Sequence, residues 1–175
     1  MKAYAGIGSR NTPNSVCIRI VKIARRLYRA DYKLRSGGAD GADFAFETGH
    51  DMEAQVSGRG KCKKEIYLPC EGFNCHPSSR WPPTQRAREI AAATHPRWYK
   101  LIEQHKLLHA RNSHQVLGPD CASPVDFIVC WTDPHHSGGT DQALRVAALH
   151  GITVYNLNSN DDATLLELRL ISLGV

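Results

Sequence analysis

The 175 residues suffice for one domain with a two- or three-layer core, and a content of 42% hydrophobic and 22% charged residues excludes a disordered or fibrous chain. The longest apolar run, Phe127 to Trp131, is far too short to span a bilayer, and no signal-like segment precedes the first strand-like residues. A protein of the cytoplasm is therefore expected, with no membrane partner and a net charge of +5 that suits nucleotides or nucleic acid as well as it suits plain solubility.

In chain order, Lys2–Ala5 reads as a buried strand. Thr12 and Pro13 then read as N-cap and first residue of a helix in which Val16, Ile20, Ile23 and Leu27 form a core-facing stripe. Beside it run Arg19, Lys22, Arg26 and Arg29, either a solvated face or a contact for an anionic partner. Tyr32–Arg35 predicts a second strand, and Asp40–Gly49 a second helix with Ala42, Phe44, Ala45 and Phe46 inward. Residues 50–63 lack clear periodicity and read as an irregular excursion, and Glu65–Leu68 as a third strand. Four prolines within residues 69–83 predict a loop or lid.

Pro83–Thr94 reads as helical, His95-Pro96 as a break, and Trp98–Leu108 as a resumed helix. Val125–Trp131 is the most strand-like run and is expected at the centre of the sheet. Thr140–His150 predicts a helix, Thr153–Asn156 a fifth strand, and Asp161–Leu173 a closing helix capped by Asn160 or Asp161. Alternating strands and helices predict an α/β, Rossmann-like, three-layer fold, with a mostly parallel sheet of about five or more strands forming a single domain over 1–175.

Three glycine-rich turns fall where predicted strands hand over to helices. Gly6-Ile7-Gly8-Ser9-Arg10 lacks the third glycine of a dinucleotide fingerprint, and no turn is followed by the Gly-Lys-Ser/Thr of a nucleoside-triphosphate loop. What remains is a phosphate turn in which Gly6 and Gly8 permit close approach, Ser9 donates a hydrogen bond and Arg10 supplies charge. In Ser36-Gly37-Gly38-Ala39-Asp40-Gly41-Ala42-Asp43, Asp40 is placed to cap the helix and Asp43 to accept from a sugar or base, or only to complement the helix terminus. Ser137-Gly138-Gly139-Thr140 reads as the best phosphate site, with His135 and His136 just before it. Arg111 offers bidentate phosphate recognition and Asn112 a base-edge contact; Trp131 is expected to stack on a base or fill the core. Cys62, Cys70, Cys75 and His76 cluster in sequence without a C-x-x-C pair, so thiols outside any metal site are favoured over zinc. No cofactor is expected.

Gly8-Ser9-Arg10, the Ser36–Asp43 stretch, Arg111-Asn112, Ser137-Gly138-Gly139 and Gly151–Val154 occur in an order that resembles the Rossmann core of the DNA-processing protein A (Smf) family, within the nucleotide-sensing (SLOG) superfamily that includes lysine-decarboxylase-like phosphoribohydrolases. The resemblance spans roughly residues 3–157. It implies binding of a nucleotide or of single-stranded DNA without catalysis, a strand-exchange protein as a further partner, and is compatible with a homodimer. The phosphoribohydrolase branch implies the alternative, an N-glycoside hydrolase of nucleoside monophosphates. That branch needs a glutamate three residues after the threonine of its glycine turn. Here the position is Ala143, leaving Asp43 and Asp141 as candidate catalytic carboxylates.

Overall fold

The computed structural model describes residues 2–58, 63–133 and 138–175. Five strands, β1 (Ala3–Gly8), β2 (Lys33–Ser36), β3 (Lys64–Ile66), β4 (Phe127–Trp131) and β5 (Thr153–Asn156), form one sheet in the order β3-β2-β1-β4-β5, with every pairing parallel. The central strand is thus β1, and the run Val125–Trp131, expected there, supplies β4 beside it. Among the described residues there are six α-helices: α1 (Asn14–Arg29), α2 (Ala42–Ser57), α3 (Gln85–Thr94), α4 (Glu103–Leu117), α5 (Gly139–Leu149) and α6 (Asn160–Ser172).

Side chains of successive strand residues point to opposite faces, and both faces are covered, as a parallel sheet requires. Tyr4, Phe127 and Val129 join Ile20, Leu27, Phe46, Leu166 and Leu170 of α1, α2 and α6. Ala5, Ile7, Ile128 and Cys130 join Ala87, Val116, Leu117, Val146 and Ala147 of α3, α4 and α5. The result is the three-layer, Rossmann-like α/β fold that the element order predicts. The chain leaves β1 toward β2 on one side and enters β4 on the other, so the order reverses between β1 and β4. In such sheets the crevice beyond the strand ends at that reversal is where ligands bind.

Several local expectations change. Residues 50–57 continue α2 rather than wandering. The turn is hard to see because its buried members are His50 and Glu53, the latter bonded to Arg25 Nε at 2.9 Å, while Met52 and Val56 face outward. Phe44 is also exposed rather than inward. Pro13, not Thr12, sits at the N-cap of α1, and the Thr12 hydroxyl donates to Ser9 O at 2.6 Å instead. Gly41, not Asp40, precedes α2, and Ser159 caps α6 by accepting from Asp162 N–H. Within 69–83, Leu68 N–H donates to Arg80 O and Ser78 Oγ to Ile66 O, which ties the proline-rich segment to the end of β3. Among the described residues, no helix is long and apolar enough to cross a membrane.

Candidate functional site

A cleft of about 790 Å³ opens beyond the carboxyl ends of β1 and β4. Gly8, Ser9 and Arg10 line it from the β1 turn, Gly138, Gly139, Thr140 and Asp141 from the start of α5, and Asp43, Arg111 and Asn112 from its floor. The first and third glycine turns therefore share one space. Ser137, His135, His136 and Cys62 lie outside the described residues.

The second glycine stretch serves a different purpose. Ser36 is fully buried and its hydroxyl donates to Gly6 O at 2.7 Å, clamping β2 to β1. Ala42 N–H, at the head of α2, donates to Ser9 O at 3.2 Å, so this helix terminus is already occupied by the chain. Gly41, at φ +76°, passes so close to the first turn that a Cβ would fall 2.5 Å from Ser9 O. Gly37 and Gly38 do not face the cleft. Gly37 packs under the Arg111 guanidinium, and Gly38 lines a smaller cavity of about 320 Å³ with Asp40, Glu47 and His76. Gly6 is equally structural, since a Cβ there would strike the Phe46 ring. The Ser36–Asp43 stretch thus braces the β1 turn from below.

The brace ends in a buried ion pair. Asp43 is 3% exposed; its Oδ1 accepts from Gly8 N–H at 3.2 Å, and its Oδ2 lies 3.4 Å from Arg111 Nη1. Burial pushes the carboxyl pKa up, while Arg111 and the N–H groups of Ala39 and Gly8 pull against that rise. Burial likewise lowers the pKa of Arg111, and Asp43 opposes it. With its amide oriented to satisfy both ends, Gln115 accepts from Gly37 N–H and Arg111 Nη1 and donates to Asn112 Oδ1. Asn112 Nδ2 in turn donates to Gly139 O at 2.6 Å. One continuous chain of contacts therefore joins the β1 turn, α2, α4 and the start of α5. Arg111 and Asn112 lie inside α4, not after it, and both are buried.

Of the two carboxylates considered for catalysis, Asp43 is consumed by this network. Asp141 Oδ2 accepts from Gly138 N–H at 3.2 Å, closing the first turn of its own helix. The amides of Gly139 and Thr140 follow in that turn, where N–H groups lack intrahelical carbonyls and the helix dipole favours an anion. Trp131 packs on the first core cluster and does not line the cleft. Among the described residues, no group of three or more His, Cys, Asp or Glu side chains is arranged to hold a metal; His76 Nε2 instead lies 3.0 Å from Glu47 Oε1.

The sequence reading missed the far wall of the cleft. His95, Arg97 and Lys100, between α3 and α4, join His105 and His109 of α4 and Arg145 of α5 there. The i, i+4 spacing of His105 and His109 was the available signal. The basic face of α1, in contrast, is partly spent on carboxylates: Arg26 pairs with Glu167 of α6 at 2.8 Å and Arg29 approaches Glu53 of α2.

An all-parallel five-stranded sheet with a cleft at its order reversal defines a Rossmann-like α/β protein by fold. Among solved structures, DNA processing protein A from Helicobacter pylori, described for its single-stranded DNA binding mode, matches it with a TM-score of 0.54. The match covers 96% of this chain and 72% of that one, at 17% identity. The likeness establishes a fold of the DNA-processing protein A kind. No protein-family model matches the sequence, and no curated protein matches it either.

Proposed function

We propose that this protein binds phosphate groups of single-stranded DNA in the cleft between the β1 turn and the start of α5, and holds its ligand without cleaving it. The observation that carries this reading is the convergence of Gly8–Arg10 and Gly139–Thr140 on one space, over a floor fixed by the Asp43–Arg111 pair. Backbone N–H groups at a helix start, an exposed arginine and hydroxyls from Ser9 and Thr140 form a fitting cradle for a phosphodiester. The fold shared with a protein described as binding single-stranded DNA points to the same ligand class. Holding is favoured over N-glycoside cleavage because Asp43 is tied to Arg111 and Gly8, Asp141 caps its own helix, and position 143 is alanine.

Fluorescence anisotropy with a labelled oligothymidylate at low ionic strength tests this. Binding should weaken steeply as salt rises, and Arg10→Ala should weaken it by roughly 10- to 150-fold, since a charge-assisted contact contributes about 1.5–3 kcal/mol. The absence of salt-sensitive binding overturns the reading. Release of free base from a nucleoside monophosphate, lost in Asp141→Asn, overturns its non-catalytic part.

A further inference from the structure

The cradle formed by the glycine turns accounts for one phosphate, yet most of the cleft's side-chain cations lie elsewhere. Arg145 is tied to the end of α3 through Gln142. Its Nη2 and Nε donate to Gln142 Oε1 at 2.9 and 3.3 Å, and Gln142 Nε2 is locked onto Thr94 Oγ1 at 2.5 Å and Ala91 O at 3.3 Å. The guanidinium is thereby fixed at the end of α3, beside His95. The His95 and His109 rings stand 4.6 Å apart, and His109 Nδ1 is buried without a hydrogen-bond partner. His95 Nδ1 accepts from Arg97 N–H at 3.2 Å, which leaves Nε2 as the ring's remaining polar atom.

The charges bearing on these two rings are cationic. Arg145 and Arg97 act on His95, and His95, Arg145, His105 and Arg111 act on His109. Lys100 lines the same wall. The cleft's carboxylates are the ones already described: Asp43 bonded to Arg111, and Asp141 bonded to Gly138 N–H. Two imidazoles in contact beside a fixed guanidinium form an arrangement that an anion relieves and a cation aggravates.

The geometry points to His95, His109 and Arg145 as a second anion subsite, which receives a further phosphodiester of the strand held by the glycine turns and takes up protons as it fills. This rests on the reading of the glycine turns as a phosphate cradle. Burial and the surrounding cations lower the His95 pKa and bring that of His109 down to about 4, so in the empty cleft both rings shed their protons early. A phosphodiester placed against them favours the imidazolium form, and by linkage the strand then binds more tightly as pH falls. A Arg145 charge fixed in place throughout keeps some attraction for the strand at neutral pH.

Isothermal titration calorimetry with a short oligothymidylate, in two buffers of different ionisation enthalpy, reads the protons directly. This probe is chosen because neither thymine nor a phosphodiester titrates in the histidine range. Near pH 5.5 the wild-type protein should take up on the order of one proton per complex, and affinity should rise about tenfold per pH unit for each proton so coupled. The double variant His95→Asn, His109→Gln should lose this uptake. Arg145→Gln should weaken binding at neutral pH, where the two imidazoles are uncharged and the guanidinium is the subsite's remaining cation.

If the wild-type protein binds the strand with no proton uptake, the subsite is overturned while the phosphate cradle stands, and this outcome needs no variant to fold. Uptake undiminished in the double variant overturns the assignment to these two rings. Absence of binding at every pH overturns the proposed function and this subsite with it.

Discussion

The Cα of Gly37 lies so close under the guanidinium of Arg111 that a side-chain carbon at position 37 would coincide with Nη1. The glycine here answers to packing, and no left-handed backbone angle is involved. Gly37→Ala should therefore push Arg111 off Asp43 and leave a buried carboxylate without its partner. A loss of about 3–5 kcal/mol is expected from urea unfolding, the range for breaking one side of a buried pair. Gly151→Ala supplies the contrast. At φ +63° with no atom near, it should cost only the backbone term of about 1–2 kcal/mol.

The Asp43–Arg111 contact itself is open to a double-mutant cycle. Asp43→Asn and Arg111→Met should each cost about 3–5 kcal/mol, because each strands the other's charge at 3–6% exposure. The double variant strands neither, so its loss should fall short of the sum by 0.5–3 kcal/mol, roughly the range measured for residues in direct contact. Additive losses in urea titrations would show that the two groups do not act as a pair.

Much of the fold can be read from the sequence where burial is apolar. Phe127–Trp131 and Thr153–Asn156 are unmistakable as strands, and the alternation with helices forces a parallel sheet. The glycine turns are visible because backbone approach demands them. What periodicity cannot show is polar burial. Arg111, Asn112, Ser113, His114 and Gln115 are all buried in α4; Arg111, Asn112, Ser113 and Gln115 meet Asp43, Gly139, Ala87 and Gly37, partners brought close by the fold, while His114 bonds the Gly118 carbonyl at the end of its own helix. In sequence the predicted helix ends at Leu108, before this run of polar residues. Likewise, His95 and Arg145 are fifty residues apart and meet only because Gln142 docks on the end of α3.

At the β2–β3 side of the sheet, Glu65 gathers Lys33, Arg35 and Tyr67, with contacts of 2.8–2.9 Å. Burial alone would raise its pKa, but hydrogen bonds from these three groups and the charge of Arg35 bring it down to about 2. An unfolded glutamate titrates near 4.3. The folded carboxylate thus contributes stability that is full above about pH 4.3 and is lost as pH falls toward 2. In a pH series of thermal unfolding, Glu65→Gln should lower Tm at neutral pH, because Arg35 loses its partner. It should also flatten the decline over that acid interval. An unchanged acid slope would remove Glu65 from the account.

His109 acts in a different window and with a different charge. Its folded pKa, lowered to about 4 by burial and then by His95, Arg145, His105 and Arg111, lies below the value near 6.5 of an unfolded histidine. As pH falls below about 6.5 the unfolded chain takes up a proton that the folded one refuses, so stability declines until about pH 4, where the folded ring also charges. His109→Gln removes that ring while keeping a polar side chain beside His95. Its Tm should match or exceed that of the wild-type protein near pH 5, and the gap should close toward pH 7.5. Saturating oligothymidylate should reduce the same acid decline in the wild-type protein, because a ligand that charges the ring in the native state offsets the proton bound by the unfolded one. A parallel decline in variant and wild type between pH 6.5 and 4 would place the acid sensitivity in other groups.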